Sequence, residues 1–378
     1  MKKVCFFSLN AHYFFHESGS FSSGGAELDM YLVGKHLALD KDFETSFIVG
    51  DVSQKVAIEE IDNIRVYKSI TLEKKNLFRG IFSVFKIWSL LGKINADYYI
   101  QSGATHYGGI IALYCKYKKR KFIYRTAHHI DCDGTFVNQN GFLGKAYEFG
   151  LLNSDKIIVS VKDHKDLLEQ KYGKINLKEK VIYIPLALEV SKKRDITLEK
   201  RHILWVARGT YWKNPDIFID LCEQFSNERF VMIMPKQRYE EQLFERVKNR
   251  VEKISNIDFQ ESVPFDKIQD YFDKAKVFVN TSEFEGFTFT LLQSGLGHSP
   301  VLYFKVNPDS VISQNNLGYC ADGDIQKMYE YMEKLLSDKE DWLKKSENCY
   351  NYIKESHNIE NIMDIYKTVI FKNESLIQ

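Results

Sequence analysis

Two cations and one carboxylate in the second half of a 378-residue chain are spaced for chemistry on a diphosphate. In Trp205-Val-Ala-Arg-Gly-Thr-Tyr-Trp-Lys-Asn-Pro-Asp216 an apolar run leads into Arg208 and a short loop carries Lys213. Pro215 then sits where a first helical turn tolerates it. Cations converging past a strand end can stabilise the charge that grows on a departing diphosphate. A random Arg and Lys are usually just solvated; their place after a strand favours the functional reading. In Asn280-Thr-Ser-Glu-Phe-Glu-Gly-Phe-Thr-Phe-Thr-Leu-Leu-Gln-Ser-Gly295 a strand ends, an acidic loop follows, and a helix begins around Thr288. Free amides around Phe287, Thr288 and Phe289 suit a diphosphate. Glu285, before Gly286 at the loop tip, is placed to accept hydrogen bonds from sugar hydroxyls. Gln293 is expected two turns into the helix on its nucleotide side, whereas Glu283 reads as an ordinary helix-start charge.

The first half offers two further stretches. Ser18-Gly-Ser-Phe-Ser-Ser-Gly-Gly-Ala-Glu27 precedes an amphipathic segment, and Gly24 and Gly25 would let backbone approach a ligand at a helix N-terminus. A flexible loop ending in a cap explains that stretch equally well. It lacks the GxGxxG and GK[ST] spacings, which argues against dinucleotide or ATP binding. Tyr124-Arg-Thr-Ala-His-His-Ile-Asp-Cys-Asp133 closes another strand with His128, His129 and Asp131, where a structural histidine is the bland alternative.

These residues need strands that end beside one another. Continuous apolar runs recur at Lys3–Leu9, Thr45–Val49, Ile64–Tyr67, Tyr98–Gln101, Phe122–Thr126, Lys156–Val159 and Val181–Ile184. A second series follows at Ile203–Ala207, Phe230–Met234, Ile257–Gln260, Val277–Asn280 and Val301–Phe304. Unbroken runs are the mark of strands buried on both faces of a parallel sheet. Amphipathic segments such as Ala26–Leu39 and Pro215–Phe225 separate them, giving βαβ units. The charged stretch Leu186–Lys200 reads as a linker. The expected architecture is α/β: two doubly wound, Rossmann-like parallel-sheet domains facing across a cleft, 1–190 and 201–355. A C-terminal helix over 356–378 is placed to cross back to the first domain.

The order Gly24-Gly25, Arg208…Lys213, then Glu285-Gly286-Phe287 with a polar residue at 293 resembles the retaining glycosyltransferases of family 4, over nearly the whole chain. The resemblance implies a GT-B fold and transfer of a hexose-type sugar from a nucleoside-diphosphate sugar, UDP favoured. The acceptor would be a glycan or lipid-linked glycan, in bacterial surface polysaccharide synthesis. It implies that Arg208 and Lys213 bind the donor diphosphate and Glu285 touches the donor sugar. His128 would stand beside the anomeric carbon, with His129 and Asp131 as close alternatives. The family's second motif glutamate, which usually holds the ribose, falls on Gln293, and its later Gly-Gly-x-x-Glu stretch is replaced by Val306-Asn-Pro-Asp-Ser310. The family works without metal, and neighbouring strand-end residues point apart, so no metal site and no cofactor beyond the donor are expected. A catalytically degenerate subunit binding glycan or protein, and a nucleotide-sugar epimerase, are the competing readings.

Composition sets the remaining bounds. With 44% hydrophobic and 27% charged residues the chain can build ordinary cores, and a net charge of +1 gives no reason to expect a nucleic-acid partner. Six scattered cysteines without a CxxC pair fit reduced thiols in the cytoplasm. The N-terminus lacks a signal-peptide pattern, and no run approaches the ~20 apolar residues of a membrane span. Peripheral contact with the inner face of the membrane is expected through 77–93 and 116–121. Phe78, Ile81, Phe82, Phe85 and Trp88 form an apolar helix face, Arg79, Lys86 and Lys93 a basic stripe, and Lys116–Lys121 a cationic run. Packing on the sheet is the ordinary fate of such an apolar face.

Overall fold

A computed structural model describes residues 1–16, 24–51, 57–71, 77–173, 177, 179–190, 199–237 and 240–371, with backbone only for 77–81. Residues 18–23 of the glycine-rich stretch, 191–198 of the linker, the side chains of Phe78, Arg79 and Ile81, and residues 372–378 lie outside that description.

The chain divides into two units: one holds residues 1–18, 23–187 and 359–378, the other 19–22 and 188–358. The first unit contains β1 (Lys2–Phe7), β2 (Phe43–Asp51), β3 (Ile58–Ile61), β4 (Ile64–Thr71), β5 (Tyr98–Ser102), β6 (Lys121–Arg125), β7 (Lys156–Val159) and β8 (Val181–Tyr183). They form one sheet in the order β3-β4-β2-β1-β5-β6-β7-β8. All neighbours are parallel except the β3–β4 pair at the edge, which is antiparallel. The helices Leu77–Ile94, Tyr107–Lys118 and Gly141–Leu152 cover one sheet face, packing Ile87, Leu91, Ile111, Tyr114 and Tyr147 against Phe7, Tyr99 and Tyr124.

The second unit contains β9 (His202–Val206), β10 (Phe230–Ile233), β11 (Ile257–Gln260), β12 (Ala275–Asn280), β13 (Val301–Tyr303) and β14 (Gly318–Cys320). Its order is β11-β10-β9-β12-β13-β14, parallel throughout, which is the Rossmann winding with its switch point between β9 and β12. Crossover handedness puts helices on both faces, and ligands of such sheets bind beyond the strand ends at the switch point. The apolar runs in the sequence become these strands within a residue or two at each end, save that β4 continues four residues past Tyr67 to Thr71. The exceptions are β3 and β14, which the runs do not reveal.

The last helix, Ile359–Ile365, and the π-helical turn Tyr366–Ile370 belong to the first unit. Tyr366 hydroxyl accepts from buried Arg125 Nη1 at 3.0 Å, and Arg125 also pairs through Nε with buried Asp29. Phe371 packs between Phe43 and Tyr98 at ring distances of 5.2 and 5.1 Å.

Candidate functional site

Arg208 and Lys213 follow β9, and Glu285 follows β12, so the cations and the carboxylate flank the switch point of the second sheet. Past Arg208 the chain makes a 3₁₀ turn, Tyr211–Lys213, which ends at Asn214 in the left-handed region (φ 46°). Asparagine tolerates that conformation, and Pro215 then opens the next helix with its φ already set. Lys213 is thereby held in place rather than left on a mobile stem. A polar chain ties the two loops: Trp205 Nε1 donates to Thr281 Oγ1 at 2.9 Å, and Thr281 Oγ1 donates to the Lys213 carbonyl at 2.5 Å. Trp205 and Thr281 are both fully buried.

Lys213 Nζ forms an ion pair with Glu285 Oε1, both side chains largely buried, and Ser282 Oγ donates to the same oxygen at 2.9 Å. Burial first, and the Arg208 guanidinium second, push the Lys213 ammonium down to about 7. The Glu285 carboxylate opposes that direction. Arg208 itself is exposed. Glu283 is held apart from this group by Asn214 Nδ2 at 2.8 Å and Lys305 Nζ at 2.5 Å, which lower its carboxyl and fix the loop. Glu283 therefore does not act as the expected helix-start charge: the helix begins six residues later, at Phe289, with no acid in its first turn, and Glu283 is spent on Lys305 and Asn214.

Thr288 caps the helix Phe289–Leu296, its Oγ1 accepting from Leu291 N–H at 3.3 Å. By helix geometry the amides of Phe289 and Thr290 have no acceptor inside the helix, which leaves them for an anion. The rings of Phe287 and Phe289 are buried, so those two residues can offer a ligand only backbone. Gln293 is the fifth helical residue, one turn in rather than two, and is buried; its carbonyl accepts from Gln269 Nε2 at 2.9 Å.

In the first unit His128 follows β6 and caps the 3₁₀ turn His129–Asp131, its Nδ1 accepting from Ile130 N–H at 3.4 Å. An accepting Nδ1 leaves the proton of the neutral ring on Nε2, so His128 offers a donor. Asp131 instead serves the backbone: its Oδ2 accepts from the amides of Ala127 at 2.7 Å and His128 at 3.1 Å. Burial pushes its carboxyl up to about 6, against those amides. The His129 ring packs edge-on against buried His164 at 4.9 Å. Of the three alternatives, Asp131 is thus engaged in positioning the loop. Among the described residues no group of three His, Cys, Asp or Glu gathers to hold a metal. Gly24 caps the helix Gly25–Ala38 in extended conformation without a side-chain cap hydrogen bond, and the Glu27 carboxylate lies against it.

Sequence reasoning missed Trp205, Thr281 and Ser282 as the residues that position Lys213 and Glu285. Thr281 and Ser282 adjoin the acidic loop; Ser282 serves Glu285 within that loop, but the partners of Thr281, Trp205 and Lys213, lie far away in the chain.

Residues 188–356 match the family described as glycosyl transferases group 1. No curated protein matches the chain. Among solved structures, sucrose-phosphate synthase from Thermosynechococcus elongatus aligns with a TM-score of 0.77 at 12% identity, over 98% of this chain and 100% of that one. HepE of Anabaena in complex with UDP-glucose aligns at 0.74 and 14%, over 98% and 100%. A glycosyltransferase from Rickettsia africae aligns at 0.70 and 16%, over 98% and 99%. At such identities the likeness carries the fold, which is GT-B, and with the domain match it supports the GT-B glycosyltransferase superfamily.

Proposed function

We propose that this chain is a retaining, metal-independent glycosyltransferase of family 4 type, moving a hexose-type sugar from a nucleoside-diphosphate sugar, UDP favoured, to a glycan or lipid-linked acceptor. One observation carries the reading: a largely buried lysine beside an arginine after β9, paired with a carboxylate after β12, at the switch point of a Rossmann-wound sheet. The UDP-glucose complex of HepE supports uridine and glucose among the candidate donors.

In this reading Arg208, Lys213 and the amides at Phe289 and Thr290 bind the diphosphate. Glu285 leaves Lys213 when the anion arrives and accepts from the sugar hydroxyls, still steadied by Ser282. Gln293 hydrogen-bonds the ribose as a neutral group. His128 donates from Nε2 to the donor sugar. The acceptor oxygen attacks the anomeric carbon on the face the diphosphate leaves. As the bond to the diphosphate oxygen breaks, that oxygen takes the acceptor's hydroxyl proton, giving the glycoside with configuration retained and free nucleoside diphosphate. The cations act where charge develops, a contribution of about 3–4 kcal/mol in comparable sites.

Titrating the full chain with UDP and a panel of nucleotide-sugars, by calorimetry and thermal shift, tests this reading. A nucleoside-diphosphate sugar that binds wild type and binds Lys213→Ala more weakly supports it. Absence of binding by every member of the panel overturns it.

A further inference from the structure

The three helices Leu77–Ile94, Tyr107–Lys118 and Gly141–Leu152 lie side by side on one face of the first unit's sheet. Trp88 meets Tyr114 edge-on at 5.3 Å, and the backbones of the second and third helices close tightly where Gly109 faces Ala146 and Gly150 faces Gly108. Their inward sides fill the core. Their outward sides carry large apolar groups: Phe82 and Phe85 are each 70% exposed, Tyr117 69% and Phe142 85%, with Phe149 also exposed. The ordinary fate of the first helix's apolar face holds only for its second half, where Trp88, Ile87 and Leu91 pack inward.

Charge on these helices is as one-sided as their exposed rings. Together they contain Arg79, Lys86, Lys93, Lys116, Lys118 and Lys145, against a single acid, Glu148: six cations to one anion in a chain whose net charge is +1. Lys119, Arg120 and Lys121 continue the run. Lys116, Lys118 and Lys119 are exposed, and Lys118 Nζ stands 4.9 Å from the Tyr117 ring centre. Arg120, Lys121 and Lys145 are engaged with Asp97, Asp155 and Glu148.

We propose that this helix layer docks on the surface of an anionic lipid bilayer. Exposed aromatic rings spread over three helices, accompanied by lysines and nearly free of carboxylates, match the composition of an interfacial anchor: rings enter the headgroup boundary while ammonium groups stay at the phosphates. Each lysine near such a surface adds attraction that salt screens. No helix among the described residues is long and apolar enough to cross a membrane, so attachment through this layer is peripheral. A protein partner carrying acidic residues is the competing occupant, as is a second copy of this chain; a uniformly cationic layer repels its own copy. The inference stands apart from the donor site and survives or fails without it.

The experiment is co-sedimentation of the full chain with vesicles of phosphatidylcholine alone or with 30% phosphatidylglycerol (about one anionic lipid in three, an ordinary anionic surface). Two variants accompany wild type, Phe82→Ser/Phe85→Ser and Lys116→Gln/Lys118→Gln/Lys119→Gln, with thermal unfolding to confirm their fold. Because the replaced side chains are exposed, melting points should match wild type. Binding to anionic vesicles, little to neutral ones, and roughly tenfold weaker binding in each variant and in high salt are expected. Absence of sedimentation with anionic vesicles overturns the proposal, as does equal binding by folded variants. Sedimentation velocity showing a wild-type dimer that the phenylalanine variant loses would assign the layer to self-association instead.

Discussion

Lys213 Nζ and Ser282 Oγ both donate to Oε1 of Glu285, so one carboxylate oxygen holds the cation that the proposed function assigns to the donor diphosphate. The free protein therefore keeps its key lysine neutralised, and an incoming anion must displace a carboxylate to reach it. Glu285→Gln removes the competing charge while keeping a polar group in place. The expected result is UDP binding tighter by about three- to tenfold, with sugar transfer reduced, because the sugar loses its strongest acceptor. Calorimetry with UDP and a transfer assay read the two effects separately. Weaker UDP binding in this variant would show that Glu285 supports rather than opposes the diphosphate.

Lys213→Ala and Arg208→Ala should each lower turnover by about 10²–10³-fold, as losing one donor to a developing charge does elsewhere, with the melting point near wild type. Kinetics at saturating donor give the comparison. Normal turnover in both variants would remove the diphosphate from this site.

Proton uptake gives a third test. Lys213 titrates at about 7 in the free protein because burial and Arg208 disfavour its charge. A bound diphosphate favours the charged form, so the complex holds the proton to higher pH. Between pH 7 and 9 binding should therefore take up a proton, and UDP affinity should fall by up to about tenfold per unit. Calorimetry in two buffers of different ionisation enthalpy counts the proton, and Lys213→Met should abolish the uptake.

How much of this was visible in the sequence depended on whether the signal was local. Strands such as β10 (Phe-Val-Met-Ile) announced themselves because burial on both faces demands an unbroken apolar run. β3, Ile-Glu-Glu-Ile, is an antiparallel edge strand without an apolar run, its Glu59 paired with buried Lys68, and β14, Gly-Tyr-Cys, is too short to show a period. Arg208, Lys213 and Glu285 could be read as strand-end residues from their local segments alone. That Lys213 and Glu285 form an ion pair could not, because β9 and β12 become neighbours only through the winding of the sheet. The helix Leu77–Ile94 shows the limit of periodicity. The pattern marks an apolar face over Phe82, Phe85 and Trp88, but only the depth of the sheet beneath decides that Trp88 is covered and both phenylalanines are not.

The buried Arg125–Asp29 pair should be the mechanical anchor of the C-terminal helix. Arg125 spans Asp29, the Tyr366 hydroxyl and the Pro185 carbonyl, and removing it strands a buried carboxylate. Arg125→Ala should cost the first unit about 3–5 kcal/mol, whereas Tyr366→Phe should cost about 1 kcal/mol. Chemical denaturation measures both, and hydrogen exchange over 359–371 should rise in each variant. Unchanged exchange there would mean that Phe371 packing alone holds the segment.

Acid should destabilise the second unit through His202, while in the first unit Asp131, whose carboxyl burial raises to about 6, offsets His164 between about pH 6 and 4. Burial keeps His164 neutral, lowering it to about 3, and His202, lowering it to about 4; each carries a hydrogen bond, to Thr126 and to the Tyr271 carbonyl. Below the unfolded value near 6.5 the unfolded chain binds a proton that the folded chain refuses. Stability is therefore complete above 6.5 and falls with pH, by about 1.4 kcal/mol per unit for each histidine, down to about 3 and 4 respectively. Melting temperatures measured from pH 7 to 4 check the slope, and a flat profile in the second unit would mean that the His202 ring becomes protonated within the fold.

Gln293→Glu separates an active transferase from a degenerate binding subunit, because it restores the residue usual at this position of the resembled family. Gln293 is buried in the second turn of the helix Phe289–Leu296. If its neutral amide already holds a ribose, the site works as it stands. A carboxylate there would strengthen hydrogen bonds to a diol, since charged acceptors give about 1.5–3 kcal/mol against roughly 1 for neutral ones. Desolvation of the new charge and its repulsion of the diphosphate oppose that gain. The two effects nearly cancel, so donor affinity should change by no more than about tenfold in either direction, with transfer detectable in wild type. Calorimetry with the donor and a radiolabelled-sugar transfer assay measure both. Wild type that neither binds donor nor transfers sugar, beside a glutamate variant that does both, would overturn the active-enzyme reading and leave a subunit whose nucleotide site has lapsed.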